Sequence, residues 1–152
     1  MDRDTQALKT LSAFRESTME LDSVYSTFSR ACGLSEAEYW SLLFIYEGFA
    51  TQSQISGRLF LSRQTLNSAF KQLRKKGLIR LEPYEENQRA KQAFLTEAGK
   101  LFVEKSVMQM HRVEEQAWQQ MSPEDQEALT ALTRRFSGFI QQELKAHRNT
   151  SS

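Results

Sequence analysis

The chain has one cysteine, two prolines and six glycines in 152 residues, and each scarcity closes a possibility. One thiol cannot form an intrachain disulfide, which suits a reducing cytoplasm. So few helix breakers leave room for long helices. No apolar run approaches bilayer-spanning length; the densest, Leu42 to Tyr46, falls far short. The N-terminus, Met1-Asp2-Arg3-Asp4, is polar and shows no secretory signal. The two histidines, His111 and His147, lie far apart, whereas zinc needs three or four clustered ligands. There is no glycine-rich phosphate loop, nucleophile elbow or recognisable carboxylate pair, so neither an enzyme nor a cofactor is implied. Acid pairs such as Glu114-Glu115 and Glu124-Asp125 read as solvated helix faces.

What is present is unevenly placed. Between Thr51 and Lys91 stand nine Lys/Arg against three Asp/Glu, a local charge of +6. The whole chain carries +1, which leaves −5 for the rest. A nearly neutral protein that gathers cations on one segment points to a polyanion there, with double-helical DNA as the leading candidate.

Hydrophobic periodicity predicts a mainly helical protein with one small β-hairpin. A first helix spans about Thr5 to Ala31, with Leu8, Leu11, Phe14, Thr18, Leu21, Tyr25 and Phe28 on one face. Ser35 and Glu38 form a capping box for a second helix, apolar nearly all round and therefore buried. Thr51 and Gln54 repeat the device before a short helix, with Phe60 and Leu61 in the turn that follows. Ser62 caps the next helix, whose Leu66, Phe70 and Leu73 face inward; Gly77 ends it. A strand from Leu78 to Glu82, a tip from Pro83 to Gln88 and a return from Lys91 to Leu95 make the hairpin. Thr96 caps a long helix to about Gln120, and Ser122-Pro123-Glu124-Asp125 starts a last one to about His147. Its Leu129, Leu132, Phe136, Phe139 or Ile140, and Leu144 make a seam; the tail from Arg148 to Ser152 is expected to be disordered.

The middle of the chain therefore reads helix, turn, helix and wing. In that geometry the second helix enters the major groove by its N-terminal half. Its outward positions carry Arg63, Gln64, Thr65, Asn67, Ser68, Lys71, Arg74 and Lys75, uninterrupted by any acid. Arg pairs with guanine, Asn and Gln with adenine, and short hydroxyls with phosphates or base edges. Lys71 and Arg74, later on the helix, lie nearer the backbone, and Arg89 at the hairpin tip suits a minor groove.

Together these segments resemble the MarR (multiple antibiotic resistance regulator) family of bacterial transcriptional regulators. The resemblance rests on Gln54-Ile55-Ser56-Gly57-Arg58-Leu59, Leu61-Ser62-Arg63-Gln64-Thr65-Leu66 and Leu73-Arg74-Lys75-Lys76-Gly77-Leu78-Ile79. Arg89 and then Leu95-Thr96-Glu97-Ala98-Gly99 follow. It implies one MarR-like domain over 1–152. Within it, 34–95 would be the winged helix-turn-helix, and 5–31 and 96–147 the dimerisation helices. It implies a cytoplasmic homodimer on a palindromic operator. Ser62, Arg63, Gln64, Thr65, Asn67, Ser68 and Lys71 take the major-groove role, and Arg89 the wing role. The dimer seam would fall on Leu8, Leu11, Phe14, Leu129, Leu132, Phe136 and Ile140. Two departures stand out. Asn87 replaces the usual wing aspartate, with Glu85 or Glu86 as a substitute partner for Arg89. Phe60 stands where many members have glycine and is expected to fill a gap in the core.

In similar regulators the region where the first two helices meet forms a cleft for small aromatic or phenolic effectors. Tyr25, Phe28, Tyr39, Trp40, Phe44 and His111 would occupy it here, and plain core packing is the competing reading. The protein is thus read as a DNA-binding regulator, a repressor relieved by such a ligand. Two rivals remain: a thiol-based redox sensor using Cys32, and a winged-helix protein-interaction module without DNA binding. Cys32 lies at the far end of the first helix, with Arg30 as its only nearby cation.

Overall fold

A computed structural model describes residues 2–84 and 87–151, with the backbone alone at 84 and 87–90. Its elements are α1 (Arg3–Ala31), α2 (Glu36–Tyr46), α3 (Gln52–Leu59), α4 (Arg63–Lys75), β1 (Ile79–Tyr84), β2 (Asn87–Leu95), α5 (Glu97–Phe102), α6 (Met108–Gln119) and α7 (Pro123–Thr150). A π-helical turn, Val103–Val107, joins α5 to α6. The fold is mainly α with one two-stranded wing, as the periodicity indicates. The chain forms two compact units, Met1–His111 and Arg112–Ser152.

The first unit is built around α2. Ser35 accepts from the Glu38 amide and the Glu38 carboxylate accepts from the Ser35 amide, closing the expected capping box. Tyr39, Leu42, Leu43 and Ile45 are buried, in keeping with a helix apolar nearly all round. Against them pack Ile55 of α3 and Leu66, Ala69, Phe70 and Leu73 of α4. Thr51 and Gln54 close the second capping box, so both helices start where the sequence places them.

The strands run further toward the tip than expected. They pair antiparallel from Ile79 with Leu95 to Tyr84 with Asn87, with a register shift between Pro83 and Tyr84. Pro83 lies opposite Lys91 inside the ladder. An edge strand tolerates proline, because no second neighbour needs its missing N–H. Behind the wing, Ala93 N–H donates to Ala50 O at 2.6 Å, and Thr51 bridges Gln92. The wing is thereby anchored to the residues that start α3.

The helix after the wing is not unbroken. At Val103–Val107 it widens into the π turn, with Val103 and Val107 both fully buried. Tyr39 OH donates to Val107 O across 3.5 Å.

In the second unit Ser122 caps α7 through the Asp125 amide, and Gln126 Nε2 donates to the Trp118 and Met121 carbonyls that end α6. Contrary to expectation, α7 continues past His147 to Thr150, whose hydroxyl donates back to Ala146 O and His147 O. Leu129, Leu132, Phe136, Phe139, Ile140 and Leu144 lie exposed along α7. On α1, Leu8 and Phe14 are likewise exposed and Leu11 is half-buried. Among the described residues no helix is long and apolar enough to cross a membrane, and no three His, Cys, Asp or Glu cluster to hold a metal.

Candidate nucleic-acid interface

The face of α4 opposite its buried Leu66, Ala69, Phe70 and Leu73 is open to solvent. Ser62 accepts from the Thr65 amide at 3.1 Å, and the two hydroxyls meet at 2.8 Å, which fixes the first turn. Ser62, Arg63, Gln64, Thr65, Asn67, Ser68, Lys71 and Arg74 are all exposed, so the structure brings every helix residue singled out from sequence onto one surface. Lys75 and Gln72 join them. Gln72 was missed because it is uncharged and late in the helix. It follows Gln64 and Ser68 at four-residue steps, the signal that marks one face. Gln64, Thr65, Ser68 and Gln72 form one wall of a shallow groove of about 570 Å³ whose other wall is Ser35, Ala37 and Glu38 of the α2 start. The side chain of Arg89, like Glu85, Glu86 and the side chain of Asn87, lies outside the described residues.

Seven of the nine local cations divide into two groups, apart from exposed Lys91, which makes no ion pair among the described residues, and Arg89, whose side chain lies outside them. Three are engaged within the fold. The Arg58 guanidinium sits 3.8 Å above the Phe49 ring. Lys76 Nζ pairs with Glu38 Oε2 at 2.7 Å. Arg80 pairs with Glu82 at 2.9 Å, donates to Leu95 O and lies over the Phe94 ring. The second group is Arg63, Lys71, Arg74 and Lys75, which make no ion pair among the described residues. These four lie on α4 itself. A counted +6 thus resolves into a smaller set of free charges, concentrated on the exposed helix face.

The end of α4 is held from two sides. Gly77, at φ 75°, donates to Arg74 O while Leu78 N–H reaches Leu73 O, a Schellman stop that a residue with a Cβ would strain. Thr96 Oγ1 donates to Gly77 O at 2.6 Å and accepts from the Gly99 amide, coupling the stop to the start of α5. Gly99 lies so close to Leu78 that a Cβ there would overlap the Leu78 carbonyl, with its carbon at 2.9 Å.

Phe60 does not fill a core gap. It caps α3 in the left-handed conformation, φ 54°, and its side chain is 90% exposed. Of α3 and its turn it is Ile55 that is fully buried, while Phe60 stands on a left-handed backbone in solvent.

The aromatic residues at the junction of α1 and α2 pack edge to face. Tyr25 meets Phe28 at 5.5 Å and Trp40 at 5.6 Å, and Tyr39 meets Trp40 at 4.9 Å. Phe28 and Tyr39 are buried core residues, while Tyr25, Trp40, Phe44 and His111 are half-buried. Phe44 packs separately, edge-on to Phe49. Burial pushes the Cys32 thiol above its ordinary pKa. Arg30, its one sequence neighbour of positive charge, donates instead to Ser26 O. Neither condition favours the reactive thiolate.

An exposed recognition helix, a bracing helix and a paired wing define a winged helix-turn-helix protein. Residues 33–90 match the MarR family model, so this segment is similar to the winged helix-turn-helix of that family. Among curated proteins no sequence matches. Solved structures share the fold at low identity. A MarR family regulator from Neisseria meningitidis superposes with a TM-score of 0.79 at 17% identity, covering 91% of this chain and 98% of its own. The M. tuberculosis transcriptional regulator MOSR, in complex with DNA, matches at 0.62 and 22%, covering 84% and 96%. Bordetella bronchiseptica BpsR, whose DNA binding is regulated by 6-hydroxynicotinic acid, matches at 0.67 and 16%, covering 83% and 91%.

Proposed function

We propose that this protein is a cytoplasmic, homodimeric regulator of transcription that binds double-stranded DNA at an inverted repeat through α4. The single observation that carries this reading is the set of four cations without an ion pair among the described residues, interleaved with Gln64, Asn67 and Ser68, on the solvent face of that helix. Arg63, Gln64, Thr65 and Asn67, at the N-terminal half, read base edges; Lys71, Arg74 and Lys75 meet phosphates. Arg89 takes the wing contact. The protein-interaction rival would need an acidic or apolar face here, and this face is neither.

Dimerisation rests on the apolar side chains exposed on α1 and α7. Leu8 and Phe14 on one, and Leu129, Leu132, Phe136 and Ile140 on the other, are exposed in the single chain. A two-fold assembly of residues 5–31 and 96–147 would cover them. Repression relieved by a small aromatic acid or phenol is the regulatory reading, with half-buried Tyr25, Trp40 and Phe44 as ligand contacts. Buried Phe28 and Tyr39 support them from behind. The similar fold of a regulator whose DNA binding responds to 6-hydroxynicotinic acid supports this class of ligand.

The test is selection from random duplexes by the full-length protein. The enriched sequences should be inverted repeats with half-site centres about one helical turn, roughly 10 base pairs, apart. Enrichment of no sequence would reject base reading by α4 and favour the protein-interaction module.

A further inference from the structure

The turn between α3 and α4 holds a large apolar side chain where the fold gives it nothing to do. Phe60 is non-glycine at φ 54°, a conformation that a residue with a Cβ adopts at a cost. Its ring is almost wholly in water. The turn itself is rigid: Phe60 N–H donates to Ser56 O at 3.0 Å, and Ser56 Oγ donates to Leu61 O at 3.1 Å. The backbone that carries the ring is therefore fixed by hydrogen bonds, and the ring lies in water. Neither the backbone cost nor the exposed apolar area stabilises the folded chain.

Position gives the ring a use. Phe60 stands just ahead of Ser62, the cap of α4, and of Arg63, the first helical residue. Three Cα steps span at most about 11 Å, close to the roughly 12 Å width of a major groove. With the start of α4 in the groove, the ring stands within about one groove width of the base edges that form the groove floor. The apolar group displayed there by a base is the thymine C5-methyl, the partner suited to a phenyl ring.

We propose that Phe60 is a specificity-determining residue that packs on a thymine methyl group beside the contacts made by the start of α4. The inference rests on the DNA-binding reading above, and the experiment separates the two.

Duplexes enriched by the wild-type protein are resynthesised with uracil replacing one thymine at a time, symmetrically in both half-sites. Affinity is measured for wild type, Phe60→Gly, Phe60→Ala and Lys71→Ala. Wild type and Lys71→Ala should lose about fourfold per half-site at one thymine, the factor for burying one methyl group. Both Phe60 variants should bind the thymine duplex correspondingly more weakly and ignore the uracil change there. Phe60→Gly should melt at or above the wild-type temperature, because glycine adopts this φ freely. Equal uracil profiles for wild type and Phe60→Gly, or wild-type affinity in both Phe60 variants, would overturn the proposal with the DNA-binding reading intact. If wild type itself enriches no sequence, both fall together. A Phe60→Gly protein that melts far below wild type would also overturn it, since the ring would then be structural.

Discussion

Glu38 and Lys76 should respond to mutation very unequally. Glu38 is a buried carboxylate, with its side chain 8% exposed, whereas the Lys76 side chain is 39% exposed. One Glu38 oxygen accepts from the Ser35 amide at a long 3.4 Å, and the other takes the 2.7 Å pair with Lys76. Lys76→Met removes the strong partner and leaves the carboxylate nearly dry with one weak donor. Breaking a buried pair from one side costs about 3–5 kcal/mol; partial exposure of Lys76 admits water and lowers this to about 2–4 kcal/mol. Glu38→Gln keeps a carbonyl acceptor for one of the two donors, removes the buried charge and frees a lysine that water can reach, at a cost of about 1 kcal/mol. For a chain of this size 1 kcal/mol moves Tm by roughly 2–4 °C. Thermal unfolding by circular dichroism at fixed protein concentration should therefore show losses of about 4–16 °C for Lys76→Met and about 2–4 °C for Glu38→Gln. The double variant should fall near Glu38→Gln, since no buried charge remains. A Glu38→Gln loss equal to that of Lys76→Met, or strict additivity in the double variant, would refute the reasoning.

Three other substitutions test separate parts of the structure. Gly99→Ala drives a methyl into the Leu78 carbonyl and should cost about 3 kcal/mol or more, read as a large fall in Tm or as insoluble protein. Ser41 is fully buried in α2, and its hydroxyl has no partner among the described residues. Ser41→Ala should consequently raise Tm, by about 1 kcal/mol of added stability, in the same unfolding assay. The raised thiol pKa of Cys32 means less thiolate at neutral pH than an ordinary cysteine has. Alkylation by iodoacetamide at pH 7.5 should be slower than for a free thiol, and mild peroxide should leave DNA affinity unchanged in wild type and Cys32→Ser alike.

Local signals made most of the fold legible in the sequence. The capping boxes at Ser35 and Thr51, the cap at Ser62 and the stop at Gly77 are short-range chemistry, and each element starts or ends where those residues lie. The exposed face of α4 was legible because periodicity alone fixes which side of an amphipathic helix points outward. What escaped depends on contacts distant in sequence. Nothing local marks Lys76 as engaged, and Arg80 has only Glu82, two residues along its strand, as a local sign of pairing. Only the fold brings Glu38 to the first, and the ladder brings Phe94 and the Leu95 carbonyl to the second. The π turn at Val103–Val107 answers to the core under it, not to its own residues. Phe60 misled for the same reason: an aromatic residue in an apolar stretch reads as core until the backbone sign at that position is known.

The division of cations into engaged and free is the centre of the account, and the salt dependence of DNA affinity tests it most directly. Binding to the enriched duplex is titrated from low to physiological salt for wild type, Lys71→Met, Lys75→Met and Lys76→Met. Each free cation that meets a phosphate releases about one counterion, so Lys71→Met and Lys75→Met should each flatten the slope of log K against log salt by about 1. Lys76→Met removes a charge already paired with Glu38 and should leave that slope unchanged. Equal flattening by all three substitutions, or none by Lys71→Met and Lys75→Met, would contradict the account.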